Sequence, residues 1–364
     1  MPEGPTNFEL ERLGLYDPKA RDAEDRLRLL TLMLELGATT EEMLEADRTG
    51  RLGDLALDLS IRPPGATLDL DAFAEGSGLD PDLVRRLWRA LGLPASGPVR
   101  VTPDAAAAIR LLIGMAGWFT QEAAFALARV LGSSSARLAE ALITAFRVDV
   151  EVPGRTAGRG ASEMVEASTV ASRELLPLFL EAANAVFRRH MVLVSYQLWS
   201  TDVARTAVTH ERTVGFADLV GSTEAVVAAS ASALAAMVRG FDERVWDLVT
   251  TAGGRVVKLI GDEAMFVVED PVRACAVCLE LVEASPHPVR AGLAHGTVVA
   301  LYGDYYGATV NLAARLVAEA EPSTVAVSDS VRRLAVERYT FENMGLRPLK
   351  GFDAPMPSYL LRRS

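Results

Sequence analysis

Cysteine is nearly absent: two of 364 residues, Cys275 and Cys278. A single C-x-x-C is too little for a disulfide framework, and no second ligand pair accompanies it to make a zinc site. Positive charge is also short. Thirty-seven Lys and Arg stand against 48 Asp and Glu, a formal charge of -11. Neutralising a phosphate backbone needs clustered Lys and Arg, which excludes a general nucleic-acid binder but leaves room for one small anionic ligand. Long apolar runs are missing too. Ala105 to Phe119 is interrupted by Arg110 and is too short to span a bilayer. The opening Met-Pro-Glu-Gly-Pro lacks the basic and apolar regions of a secretory signal, so no transmembrane segment and a cytoplasmic location are expected. Neither G-x-x-x-x-G-K-[ST] nor G-x-G-x-x-G occurs, so neither a Walker nor a dinucleotide mechanism is indicated.

What remains is a globular chain, 50% hydrophobic and 23% charged, long enough for two domains. Residues 1–200 read as one all-helical domain and residues 201–364 as a second in which strands and helices alternate. Helical spacing runs from Asp17 to Gly37, Thr39-Thr40-Glu41-Glu42 offers an N-cap, and Pro63-Pro64-Gly65 is a break. Leu68 to Gly92 holds two short helices around Gly76-Ser77-Gly78, faintly like a helix-turn-helix. Arg85, Arg86 and Arg89 there are flanked by Asp69, Asp71, Glu75, Asp80 and Asp82, the wrong field for reading DNA. Thr102-Pro103-Asp104 opens an alanine-rich helix. Separate helices are expected over Gln121–Leu131 and Ser135–Phe146, and a loop from Pro153 to Gly160. A long helix follows from Ser162 to about Trp199, with Pro177 as a kink. Its apolar residues, Val186, Phe187, Met191, Leu193, Val194 and Leu198, are too dense for a one-sided surface helix. A partner helix or a second subunit is expected to cover them.

Beyond Thr206 strands and helices alternate: strand, glycine turn, long helix, then a hairpin with Gly261-Asp262 at its tip. Helix Pro271–Ala284 carries both cysteines, three residues apart and expected to face the core. Further strands and helices run to Leu361. The fold class is α+β, a ferredoxin-like βαββαβ palm with helices on one face, preceded by the all-α domain. Asp218 follows one apolar strand and Asp262 tips the hairpin. Two such carboxylates suit a divalent cation beside a phosphate, since Mg²⁺ takes one or two carboxylates plus phosphate oxygens and water. Each also has a plain reading, Asp218 as a helix cap and Gly261-Asp262 as a turn. Asn311 and Arg315 lie four apart on one helix, with Asp304 just before it.

Three signatures in this order resemble the class III nucleotidyl cyclases: F-x-D-x-x-G-S/T at Phe216 to Ser222, K-x-x-G-D at Lys258 to Asp262, and D-x-(aromatic)-G-x-x-V-N-x-x-x-R at Asp304 to Arg315. The resemblance spans roughly Arg212 to Leu361, and the helical half looks like the regulatory domain joined to such cyclases in actinobacteria. It implies adenylate cyclase activity: the 3′-hydroxyl of a nucleoside triphosphate attacks its own α-phosphate and expels pyrophosphate. It also implies two metals, Mg²⁺ or Mn²⁺, held by Asp218 and Asp262. Arg315 would meet charge on the phosphorus, Asn311 would orient the ribose, and backbone N–H groups of Leu219, Val220, Gly221, Ser222 and Thr223 would suit the triphosphate. Lys350 is a looser match for a phosphate contact. Lys258 only donates and ionised Asp304 only accepts, which fits adenine and mismatches guanine, so ATP is the expected substrate. In the family each site draws on two chains, so a homodimer with composite sites is expected. Diguanylate synthesis is an alternative, but it gives Asn311 and Arg315 no role, and its usual hairpin has two glycines where Ile260-Gly261 stands. A non-enzymatic nucleotide-binding dimer is a third reading, disfavoured by the intact metal, base and arginine positions.

His190 follows Arg188-Arg189 in the long junction helix, where neighbouring positive charge resists protonation. Its titration is expected to shift the balance between inactive and active domain arrangements. The plain alternative is a surface histidine. Activity against pH for His190→Ala decides between them: a displaced profile is expected, and an unchanged one removes the idea.

Overall fold

A computed structural model describes residues 5–62, 67–94, 100–199, 209–221 and 231–364. The expected break at Pro63-Pro64-Gly65 lies outside them. The chain divides into two compact units, Met1–Ser195 and Tyr196–Ser364.

In the first unit the described helices are α1 (Asn7–Arg12), α2 (Ala23–Glu35), α3 (Thr40–Arg48), α4 (Leu52–Ile61), α5 (Leu70–Gly76), α6 (Pro81–Ala90), α7 (Pro103–Gly114), α8 (Gln121–Phe146), α9 (Val152–Thr156) and α10 (Ala161–Trp199). Their starts follow local chemistry. Thr6 with Glu9 and Thr39 with Glu42 form reciprocal capping boxes, and Asp80 caps α6 ahead of Pro81. One cluster packs Leu30, Met33, Met43 and Ala56 of α2 to α4, and another packs Phe73, Val84, Ile109 and Ala128 of α5 to α8. Asp25 of α2 reaches the start of α10, where its carboxylate accepts the N–H of Ala161 at 2.9 Å and of Ser162 at 3.2 Å. A carboxylate at that position satisfies donors the helix cannot.

Several expectations change. The unit is not purely helical: β1 (Leu68–Asp69) and β2 (Arg100–Val101) make a two-residue antiparallel ladder. It stays that short because Asp69 at once caps α5 and Thr102 stands at the N-cap of α7. Pro153 to Gly160 is partly helical, with Pro153 in the first turn of α9 after a π-helical turn at Arg147–Glu151. The two expected helices over Gln121–Phe146 are one, because Gly132 is a packing residue and not a breaker. A Cβ there would sit 2.3 Å from the carbonyl oxygen of Leu91, so only glycine lets α8 pass this close to the end of α6. On α10, Pro177 lies inside a continuous helix, and Val186, Phe187, Met191, Leu193 and Val194 are exposed in the single chain.

The second unit is built from β3 (Thr209–Leu219), α11 (Ala231–Thr251), β4 (Arg255–Ile260), β5 (Glu263–Val268), α12 (Pro271–Ala284), β6 (Val289–Leu301), β7 (Asp304–Tyr306), α13 (Ala308–Glu319), β8 (Val325–Ser328), α14 (Asp329–Ala335), β9 (Tyr339–Arg347) and β10 (Met356–Arg363). The sheet order is β4-β5-β3-β6-β8-β10-β9, with β7 paired to β6. The βαββαβ core is antiparallel throughout. Alternation along β3 and β5 buries both faces. Ala217, Leu219, Ala264 and Phe266 face α11, α12 and α14, while Val214, Phe216, Met265 and Val267 face α13. The two palm helices thus share a face, and the arginine-bearing helix takes the other. Gly292 permits this, since a Cβ there would lie 2.3 Å from the backbone nitrogen of Val317.

Gly132→Ala separates packing from propensity. Propensity alone would favour alanine in a helix by about 1 kcal/mol. The contact with Leu91 reverses the sign, and a loss of about 1–3 kcal/mol is expected from overpacking, read as a lower thermal midpoint of the full chain. A raised midpoint would show that this contact gives way.

Candidate active site

The end of β3, the tip of the β4–β5 hairpin and the start of β6 meet. Asp218 pairs in register with Glu263 on one side and Arg290 on the other. The tip is a two-residue turn with Gly261 first at φ 66°, as a Gly-first hairpin turn demands. The carbonyl of Asp262 accepts the N–H of Leu219 at 3.1 Å, which ties the tip to the strand carrying Asp218. The two carboxylates singled out by sequence are thereby brought to one edge.

Arg290, which the sequence reading passed over, donates to Asp218 Oδ2 from Nε at 2.7 Å and from Nη2 at 2.6 Å. No local motif marks it; only its place opposite Asp218 on the neighbouring strand does. Glu263 shows how acidic this edge is. Its carboxyl is held above the ordinary value by burial first, then by Asp218 and Asp262, with Arg290 opposing. Hard oxygen donors in surroundings short of positive charge fit a divalent cation such as Mg²⁺ or Mn²⁺. Among the described residues no three acidic, His or Cys side chains gather as a complete cage. Asp218 and Asp262 would therefore supply part of a coordination shell.

The backbone donors expected from Leu219 to Thr223 are partly engaged. Leu219 N–H goes to Asp262 and Val220 N–H to the carbonyl of Pro288 at 2.9 Å. Gly221 follows in a turn at φ 82°, and Ser222 and Thr223 lie outside the described residues.

A second group forms on the α13 face. Lys258 Nζ lies 2.7 Å from Asp304 Oδ2, both side chains about one-third exposed. A β-bulge between Val256 and Lys258 brings this about. Strict alternation would give Lys258 the same face as Val256, but the extra residue puts it in register with Met265, whose side chain faces α13. Asp304 comes from β7, absent from the sequence reading. Tyr302 and Gly303 at φ 50° and 84° make the tight turn that returns it along β6, and Arg255 stacks over Tyr305 at 5.1 Å. Asn311 and Arg315 stand on the exposed side of α13. Arg315 Nε donates to the carbonyl of Lys350 at 3.3 Å, and buried Leu349 anchors that loop.

Cys275 and Cys278 are buried in α12; burial, with Asp270 nearby, pushes the Cys275 thiol up to about 12, and Cys278 lies well above its usual range. Such thiols are packing residues. His295 accepts or donates through Nδ1 to Thr213 Oγ1 at 3.0 Å within the sheet, His287 lies exposed in its loop, and His190 is exposed on α10. Among the described residues no helix is long and apolar enough to cross a membrane.

Comparison with known proteins finds a family for each part of the chain. The family described as adenylate and guanylate cyclase catalytic domain matches residues 204–363, and the adenylate cyclase regulatory domain family matches residues 9–192. An uncharacterized protein of Mycobacterium tuberculosis is 36% identical over 97% of this chain and 93% of its own length. An adenylate cyclase of Streptomyces coelicolor is 34% identical over 70% of this chain and 68% of its own. A pH-sensitive adenylate cyclase of M. tuberculosis is 27% identical over 93% of this chain and 88% of its own.

Proposed function

This chain belongs to the class III nucleotidyl cyclases, with an adenylate cyclase regulatory domain ahead of the catalytic domain, and we propose that it converts ATP to 3′,5′-cyclic AMP and pyrophosphate at two composite sites of a homodimer. The observation that carries the substrate choice is the Lys258–Asp304 pair at 2.7 Å. Adenine offers an acceptor at N1 and a donor at N6. An ammonium and a carboxylate side by side complement both, and guanine reverses the pattern and leaves both unmatched.

Asp218 and Asp262 would hold the divalent cations, Mg²⁺ or Mn²⁺, two per site. When bound, such ions ease deprotonation of the 3′-hydroxyl and draw charge from the leaving phosphates. Arg290 now keeps Asp218 paired, and its guanidinium suits triphosphate oxygens arriving beside that carboxylate. With Leu219 and Val220 already donating to carbonyls, the backbone share of triphosphate binding falls to Gly221, Ser222 and Thr223. Asn311 would hold the ribose so that its hydroxyl starts near the line of attack. Arg315 would meet charge building on the α-phosphate, with Lys350 as a further phosphate contact.

Strand geometry supports shared sites. Arg290 pairs with Asp218 at the start of β6, whereas Asp304 pairs with Leu301 at its far end and engages Lys258 of β4. Arg315 donates to the carbonyl of Lys350 on the α13 face. A two-fold partner would set the base-reading and arginine groups of one chain against the acidic edge of the other. Regulation through the first unit, with His190 as its pH-responsive group, extends the same reading.

Incubation of the purified protein with Mn²⁺ and either ATP or GTP is expected to give cyclic AMP from ATP and little product from GTP. Cyclic GMP from GTP at a comparable rate, or a dinucleotide, would replace this reading. Asp218→Ala and Arg315→Ala are each expected to be nearly inactive and to regain activity when mixed, because each heterodimer contains one intact site. Arg290→Ala should complement Arg315→Ala but not Asp218→Ala. Failure of every mixture to recover would refute shared sites.

A further inference from the structure

The arginines of α6 that suit no DNA groove have another use. Helices α6 and α8 frame an open surface pocket of about 560 Å³. Arg86 and Arg89 of α6 and Arg129 of α8 line it. Their neighbour Arg85 is neutralised by Asp71 and Asp82. Among the described residues, no carboxylate pairs with Arg86, Arg89 or Arg129. In a chain of net charge -11 three such guanidinium groups around one pocket run against the average.

Two of them are already held in place. The Arg86 guanidinium lies 4.8 Å from the centroid of the Phe125 ring, and that ring is itself buried in the α5–α8 core. Arg89 Nε donates to the carbonyl of Arg85 at 3.4 Å. These contacts order the side chains while leaving terminal N–H groups for a ligand, which lowers the entropy cost of binding. Phe125 and Ala90 supply the apolar part of the lining. Gln121 and Glu122 stand in the first turn of the 26-residue helix α8, where the helix dipole adds partial positive charge. Glu122 opposes it as the one carboxylate among the lining residues, three guanidinium groups to one.

We propose that this pocket binds a compact polyanion, a small molecule bearing two or more phosphate groups, in the helical unit and apart from the catalytic edge. Guanidinium forks match phosphate oxygens two at a time, and three of them along one pocket give a second phosphate group its own donors.

The probe is inorganic tripolyphosphate, titrated calorimetrically into the full chain in EDTA, with citrate in a parallel titration to separate phosphate from carboxylate chemistry. Saturable binding of tripolyphosphate at one site per chain, tighter than that of citrate, is expected. Arg86→Gln combined with Arg129→Gln should weaken it at least about tenfold, since each charge-assisted contact contributes that order. Arg85→Gln should leave it unchanged, and Arg86→Lys with Arg129→Lys, which keeps the charge but not the forks, should bind more weakly than the native chain and more tightly than the double Gln variant, with unchanged thermal midpoints excluding misfolding. No saturable binding to the native chain, equal binding by the double Gln variant, or tighter binding of citrate would overturn the proposal. So would sedimentation showing that the Gln substitutions break a dimer without changing anion affinity, which would make the cluster a protein contact.

Discussion

The acidic edge of the second unit depends on one ion pair. Asp218 and Glu263 stand in register on neighbouring strands beside the hairpin tip that carries Asp262, and like charges placed so repel. Arg290 donating twice to Asp218 is what balances them in the free protein. The pair is partly buried, Asp218 at 16% exposure, so neither member is fully screened by water. Glu263 holds its proton more tightly than an ordinary carboxylate, first because it is buried and then because Asp218 and Asp262 lie near it.

The sheet makes this edge rigid. Its central strands are buried on both faces, so β3 and β5 are read by two cores at once and a one-residue slip would turn both inside out. Gly215 and Gly292 are tolerated in such strands because neighbours occupy the space of a side chain, the Phe266 ring over one and the α13 backbone over the other. With α13 pressed directly on β6, Asn311 and Arg315 are carried on a helix whose position is fixed by the sheet. The bulge at Val256–Lys258 then turns a single lysine to the face where Asp304 waits. Strand register, one bulge and one close approach therefore set the positions of Asp218, Lys258, Arg290, Asn311 and Arg315.

Much was legible in the chain itself. The N-cap at Thr39, the Gly-Asp hairpin, the helices carrying the cysteines and Asn311, and the family all follow from residues within a few positions of one another. Local chemistry fixes these because caps, turns and helical faces are satisfied by near neighbours. Only the tertiary structure decided the rest. It made Gly132 a packing residue and not a break, put α13 on the face opposite the palm helices, and engaged the N–H groups of Leu219 and Val220 with carbonyls far away in sequence. It also brought Arg290 to Asp218 across 72 positions of chain. The reason is the same in each case: which backbone approaches which, and which charge lies opposite another, depends on strand pairing and register, and a linear sequence pattern carries no record of either.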